Sequence, residues 1–104
     1  MNKIERDGKI AVLVSPGFGA GWSTWADEKY KEILCMDADI AQAVLDGDKT
    51  KALEIAIAKT EDGYFGGLRD LEVQWVPKGA RFTISEYDGS EHIELLDFIE
   101  HMTA

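Results

Sequence analysis

Cysteine, proline, histidine and arginine are all scarce in this chain. With one cysteine, Cys35, no intrachain disulfide can form, and disulfide-stapled scaffolds are excluded. That thiol and two histidines, His92 and His101, cannot supply a spaced zinc site. No metal or other cofactor is expected. Only two prolines occur, and no repeat or low-complexity tract accompanies them, so a proline-rich linker is excluded. No apolar run approaches the ~20 residues that span a bilayer, so no membrane partner is expected. Met1 is followed by Asn2-Lys3-Ile4-Glu5-Arg6 rather than an apolar signal core. A cytoplasmic protein is expected.

Positive charge is also short. Lysine and arginine number 11 against 20 acidic residues, for a net charge of -9. No basic stripe for nucleic acid is present, and the long-range field repels polyanions and anionic membrane surfaces. Such charge serves solubility, or it lets an acidic surface dock on a basic partner, even one that itself grips DNA. Arginine occurs only at Arg6, Arg69 and Arg81. In so acidic a chain, an arginine beside a pocket stands out as an anion contact.

What is present suits one folded domain over residues 1–104. Hydrophobic residues make up 45% and charged residues 30%, enough to bury a core without staples. Asp7-Gly8 is a turn signal. Ile10–Val14 is a continuous apolar run and predicts an interior strand. Thr24, with Asp27 three residues on, predicts a capped helix over about Trp25–Met36. Asp37 or Asp39 would cap a second helix containing Ile40, Ala41, Val44 and Leu45, with Gly47 at its end. Asp48 or Thr50 would cap a third, with Leu53, Ala56 and Ile57 on its buried face and Glu61-Asp62-Gly63 closing it.

The last third reads as β structure. Lys78-Gly79 and Asp88-Gly89 are two-residue hairpin signals. Together they predict an antiparallel meander over 71–76, 81–87 and 91–96. The first turn would pair Trp75 with Phe82 and Val73 with Ile84. The second would pair Phe82 with Leu95 and Ile84 with Ile93. One apolar face results, and a one-residue slip would destroy it. Asp97–Met102 would add a helical turn or an edge strand. The expected fold is α+β in two layers: the meander plus strand 10–14, covered by two or three helices between residues 25 and 60.

The segment after the first strand is unusual. Ser15-Pro16-Gly17-Phe18-Gly19-Ala20-Gly21-Trp22-Ser23-Thr24-Trp25 packs three glycines, three aromatics and three hydroxyls into eleven residues. Strand, glycine turn and hydroxyl-capped helix is the order of a phosphate-binding loop. The dinucleotide fingerprint nevertheless fails, because Trp22 stands at its third glycine position. The P-loop fails for want of a lysine between Lys9 and Lys29. The aromatics offer flat surfaces that stack on planar ligands. They serve equally as core anchors, with the glycines merely making the turn. A second cluster, Asp62-Gly63-Tyr64-Phe65-Gly66-Gly67-Leu68-Arg69-Asp70, suggests another shaped loop, with Arg69 as an anion contact or a surface ion pair.

Catalytic patterns are weak. The hairpin register sets Ser85 opposite His92 and Thr83 opposite Glu94, which fits an exposed polar sheet face better than a triad, since no nucleophile elbow accompanies them. Glu86 faces Glu91 at an open strand end, where both carboxylates are expected to be solvated. Cys35 is expected to be a buried structural thiol.

The Val14–Trp25 loop, the Gly66–Val73 segment and the Trp75–Glu91 run together resemble short bacteriophage-type proteins of unassigned function. That resemblance implies a setting inside an infected bacterium, the host cytoplasm, and action by blocking a host protein or sequestering a signalling nucleotide. It carries no catalytic residues. The expected function is a non-enzymatic binding protein for a small phosphorylated or nucleotide-like ligand. Its site would comprise Ser15, Gly17, Phe18, Gly19, Gly21, Trp22, Ser23, Thr24, Trp25, Arg69 and Arg81, completed where needed at a homo-oligomer interface. The alternative is an acidic protein-interaction module that blocks a basic host surface.

Overall fold

The computed structural model describes residues 1–19, 21–60, 65–96 and 102–104. Within them the chain adopts an α+β fold with three α-helices and two three-stranded antiparallel sheets. In the first sheet, β1 (Glu5–Arg6) and β3 (Glu72–Pro77) flank β2 (Lys9–Val14). In the second, β5 (Ser90–Leu95) and β6 (Met102–Thr103) flank β4 (Arg81–Tyr87). The helices α1 (Lys31–Met36), α2 (Ala38–Leu45) and α3 (Lys49–Thr60) lie between β2 and β3 in the chain.

The apolar run is an interior strand, as its composition requires. Ile10, Val12 and Val14 join Cys35, Met36, Val76 and Phe82 in one buried cluster. Ala11 and Leu13 join Leu34, Ile40, Ala41, Ala52 and Ala56 in another. Successive side chains of a strand point to opposite faces, so β2 is covered by helices on one side and by the second sheet on the other. Each fully buried aliphatic side chain of this kind contributes about 1.5–3 kcal/mol.

The β4–β5 hairpin has the expected register, from Phe82 opposite Leu95 to Glu86 opposite Glu91. Its turn residues Asp88 and Gly89 have φ of 49° and 82°, and Asp7 and Gly8 in the β1–β2 turn have 54° and 75°. Left-handed backbone at both central positions matches the twist of paired strands, and Asp-Gly tolerates it at least cost.

The expected first hairpin does not form. Lys78-Gly79 does make a turn, with the Ala80 amide donating to the Pro77 carbonyl at 3.0 Å. Its two strands then enter different sheets. β3 pairs along the whole of β2, from Pro77 opposite Lys9 to Glu72 opposite Val14. β4 instead takes β6, with Arg81 opposite Thr103 and Phe82 opposite Met102. Trp75 and Phe82 are therefore not partners. The cause is β2, whose buried backbone needs a ladder on both edges and meets only a two-residue partner in β1. The expected single apolar face divides accordingly. Val73 and Trp75 pack with the helical cluster, while Phe82, Ile84 and Ile93 pack against the other face of β2. Leu95 is 61% exposed near the strand end.

The helix signals held where they were local. Asp37 caps α2 by accepting from the Asp39 and Ile40 amides at 3.1 and 3.2 Å. Gly47 follows α2 with φ of 77°. Asp48 accepts from the Lys51 amide at 3.0 Å at the start of α3. The buried face of α3 is Ala52, Ala56 and Thr60, so Ile57, expected inside, is instead 47% exposed. The first helix starts later than expected. Asp27 caps a single 3-10 turn at Glu28–Tyr30 that leads into α1, and Thr24 caps nothing because its hydroxyl is engaged elsewhere. The expected closure at 61–63 lies outside the described residues. So does most of the expected 97–102 element, of which Met102 is an edge-strand residue.

Asp37 is nearly buried and also holds the Lys59 ammonium at 2.8 Å, which with Asp39 keeps the Lys59 pKa above its ordinary value. Asp37→Ala should cost about 1–2 kcal/mol from the lost cap alone, read as a lower denaturant midpoint with an unchanged slope. Asp37→Asn, which keeps the capping oxygen, should cost less.

Candidate functional site

The loop that leaves β2 closes on a carboxylate of the protein itself. Glu91, the second residue of β5, is 1% exposed. Its Oε1 accepts from the Ser15 amide at 3.0 Å. Its Oε2 accepts from the Trp22 amide at 2.8 Å, the Thr24 amide at 3.1 Å and the Thr24 hydroxyl at 2.6 Å. No cation pairs with it among the described residues. Taking a carboxylate out of water costs several kcal/mol. Hydrogen bonds to a charged group each return about 1.5–3 kcal/mol, so several must converge to hold it inside. The glycine loop supplies that convergence.

Main-chain contacts fasten the same place. The Glu91 amide donates to the Ser15 carbonyl at 2.9 Å, and the Gly19 amide donates to the Asp88 carbonyl at 3.0 Å. The Ser90 hydroxyl donates to the Pro16 carbonyl at 2.6 Å. The Ser15 hydroxyl donates to the Gly67 carbonyl at 2.7 Å, which draws in the second glycine cluster. Two of the glycines are dictated by close approach. A Cβ on Gly17 would collide with the Asp70 carboxylate. One on Gly21 would collide with the Thr24 hydroxyl and lie 3.1 Å from Glu91 Oε2.

The expected site residues therefore divide. Ser15, Ser23, Gly21 and Trp22 are buried. The Trp22 indole N–H donates to the Leu34 carbonyl at 2.7 Å, and its ring packs 5.6 Å from that of Phe65. Trp22 is a core anchor and does not line an open pocket. Gly17 sits against Asp70, and Thr24 bonds Glu91. Phe18 is 77% exposed and Trp25 46%, with the Trp25 indole N–H donating to Glu86 at 3.3 Å. Gly19 is exposed with φ of 128°. Arg69 is exposed beside Asp70, near the loop. Arg81 opens β4, whose other end meets the loop, so roughly 20 Å of strand separates them and the two arginines do not converge.

Glu91, expected in water opposite Glu86, does stand opposite it but is buried. A signal was available: the register puts Glu91 on the same face as Ile93 and the buried Phe82. An acid at a core-facing position, with a glycine- and hydroxyl-rich loop elsewhere in the chain, marks a carboxylate held by backbone donors.

The remaining chemistry is modest. Ser85 and then His92 hydrogen-bond Glu94 and hold its carboxyl below the ordinary range. Ser85 thus meets the acid, and no Ser85–His92 hydrogen bond is present among the described residues. Cys35 is buried and donates to the Ser23 hydroxyl at 3.1 Å. Burial, with nearby Glu91 adding to it, pushes the thiol from 9.0 up to about 12.

Two outcomes follow. Glu91→Ala leaves three amides and a hydroxyl without their buried acceptor. It should cost at least about 3 kcal/mol, with hydrogen exchange accelerating first at the Trp22 and Thr24 amides. Cys35 should resist iodoacetamide at pH 8–9 in the folded protein and react once unfolded. Because its folded pKa lies above its unfolded one, its contribution to stability is full below pH 9 and declines between pH 9 and 12, measurable as a falling denaturation midpoint.

No known family model matches this chain, and no curated protein or solved structure is significantly similar to it.

Proposed function

We propose that this protein is a non-enzymatic interaction module. It presents a rigid face, aromatic at its centre and acidic around it, to a basic surface on a protein partner. One observation carries the reading: Glu91 engages the Ser15, Trp22 and Thr24 amides and the Asp88 carbonyl engages that of Gly19, while on the same loop Phe18 is 77% and Trp25 46% exposed. The phosphorylated ligand expected from the sequence would need those same donors and would have to displace a buried carboxylate. A protein partner needs only the side chains.

Tyr87, 72% exposed, ends β4 next to Asp88, whose carbonyl holds the loop at Gly19. Asp27, Glu28, Glu86 and Asp88 are exposed nearby along the loop and the hairpin turn. Rigid aromatics lose little entropy on binding, and large aromatic anchors dominate interface energies. The surrounding carboxylates, within a net charge of -9, would steer a basic partner and set its orientation. In the setting implied by the resemblance to bacteriophage-type proteins, that partner is a host protein.

The test uses the immobilised protein against bacterial lysate. The wild type should retain a discrete basic protein that elutes as salt is raised. The double substitution Phe18→Ala and Trp25→Ala should retain at least about tenfold less with an unchanged melting temperature. Equal retention by that variant, or retention indifferent to salt, overturns the proposal.

A further inference from the structure

At the opposite end of β2 the charge pattern reverses. Arg6 and Lys9 are direct partners across the β1–β2 hairpin. The Arg6 guanidinium lies over the Trp75 ring, 4.8 Å from its centroid. Arg6, Lys9, Asp7 and Trp75 line a cavity of about 210 Å³. Among the described residues neither forms an ion pair, as is true also of Lys3, Lys29, Lys49, Lys51, Arg69 and Arg81; what sets Arg6 and Lys9 apart is that they stand opposite one another beside an indole. The adjacent acid on the same strand, Glu5, is drawn off by Lys78 at 2.8 Å.

The cation–π contact matters. A cation–π contact uses the flat face of a guanidinium, while its N–H donors lie in the plane and stay available. Trp75 therefore orients Arg6 with little loss of hydrogen-bonding capacity, and Lys9 adds a second charge beside it. Preorganised donors of this kind suit the oxygens of a phosphate. The indole, half-buried, adds a flat apolar wall. The cavity is smaller than the ~300–1,000 Å³ of drug-sized sites, so it admits a head group with a single ring.

We propose that Arg6, Lys9 and Trp75 form a site for a small aromatic phosphomonoester. The phosphate sits between the guanidinium and the ammonium, and the ring lies against the Arg6–Trp75 stack. Asp7 is the opposing element: its carboxylate on the rim repels the phosphate and keeps the affinity modest. The site stands apart from the aromatic loop, which leaves the far end of this six-residue strand, roughly 20 Å away. It does not depend on the protein-binding reading.

Phenyl phosphate, inorganic phosphate and phenol are the probes, titrated while the Trp75 indole N–H is followed by NMR, its signal assigned by Trp75→Phe. Phenyl phosphate should shift that signal in a saturable manner, and inorganic phosphate and phenol should each bind more weakly. Arg6→Gln with Lys9→Gln should weaken phenyl phosphate by roughly tenfold or more, the loss of charge-assisted contacts. Asp7→Asn should tighten it several-fold. These four positions are exposed or at the sheet edge, and an unchanged melting temperature confirms folding of each variant. Absence of a shift, equal affinity in the Arg6/Lys9 variant, or phenol or inorganic phosphate binding as tightly as the ester overturns the proposal.

Discussion

The buried carboxylate of Glu91 is the constraint around which the two sheets are joined. It stands on β5 of the second sheet and is held from residues that follow β2 of the first. Hydrophobic packing between the sheets is nondirectional and would tolerate sliding. A carboxylate with four donors fixed in space does not. The Ser15–Glu91 pair, bonded through both main chain and side chain, sets where one sheet ends against the other. The glycines, the hydroxyls and the abrupt turns of residues 15–24 follow from that requirement.

Converging backbone amides ordinarily draw an anion from solution. Here the anion is covalently supplied. In an acidic protein this has a particular use. One of twenty carboxylates is stabilised by dipoles rather than by a scarce cation, and the cations are left for other positions. Lys59 serves Asp37 and Asp39, Lys78 serves Glu5, and Arg6 and Lys9 remain together at the β1–β2 corner.

What could be read from the sequence was what is decided locally. Asp7-Gly8, Asp88-Gly89, the Asp37 cap and Gly47 each depend on a few neighbouring dihedrals, and each appears where the residue types put it. The β4–β5 register was legible because a short turn and a period of two leave one consistent answer. The β3–β4 separation was not legible. It depends on competition from β2, some sixty residues away in the chain, for the edge of β3. Trp22 and Trp25 show the same limit. They are three residues apart, yet Trp22 enters the core because a carbonyl at Leu34 is there to accept its indole N–H, while Trp25 stays outside and meets Glu86. Thr24 had the residue type of a helix cap, but its hydroxyl went to a carboxylate that only the tertiary fold brings near.

The electrostatics of the cluster bear on recognition as well as on folding. Cys35 sits behind the loop, and the negative charge of Glu91 adds to burial in keeping its thiol neutral. A field that opposes a thiolate there also opposes a phosphate arriving at the same amides. The Ser15, Trp22 and Thr24 amides, and the potential around them, are already committed to one anion. An anion from solution therefore has less to gain at these amides than beside the paired cations Arg6 and Lys9, which stand the length of β2 away, so either place can be altered without disturbing the other.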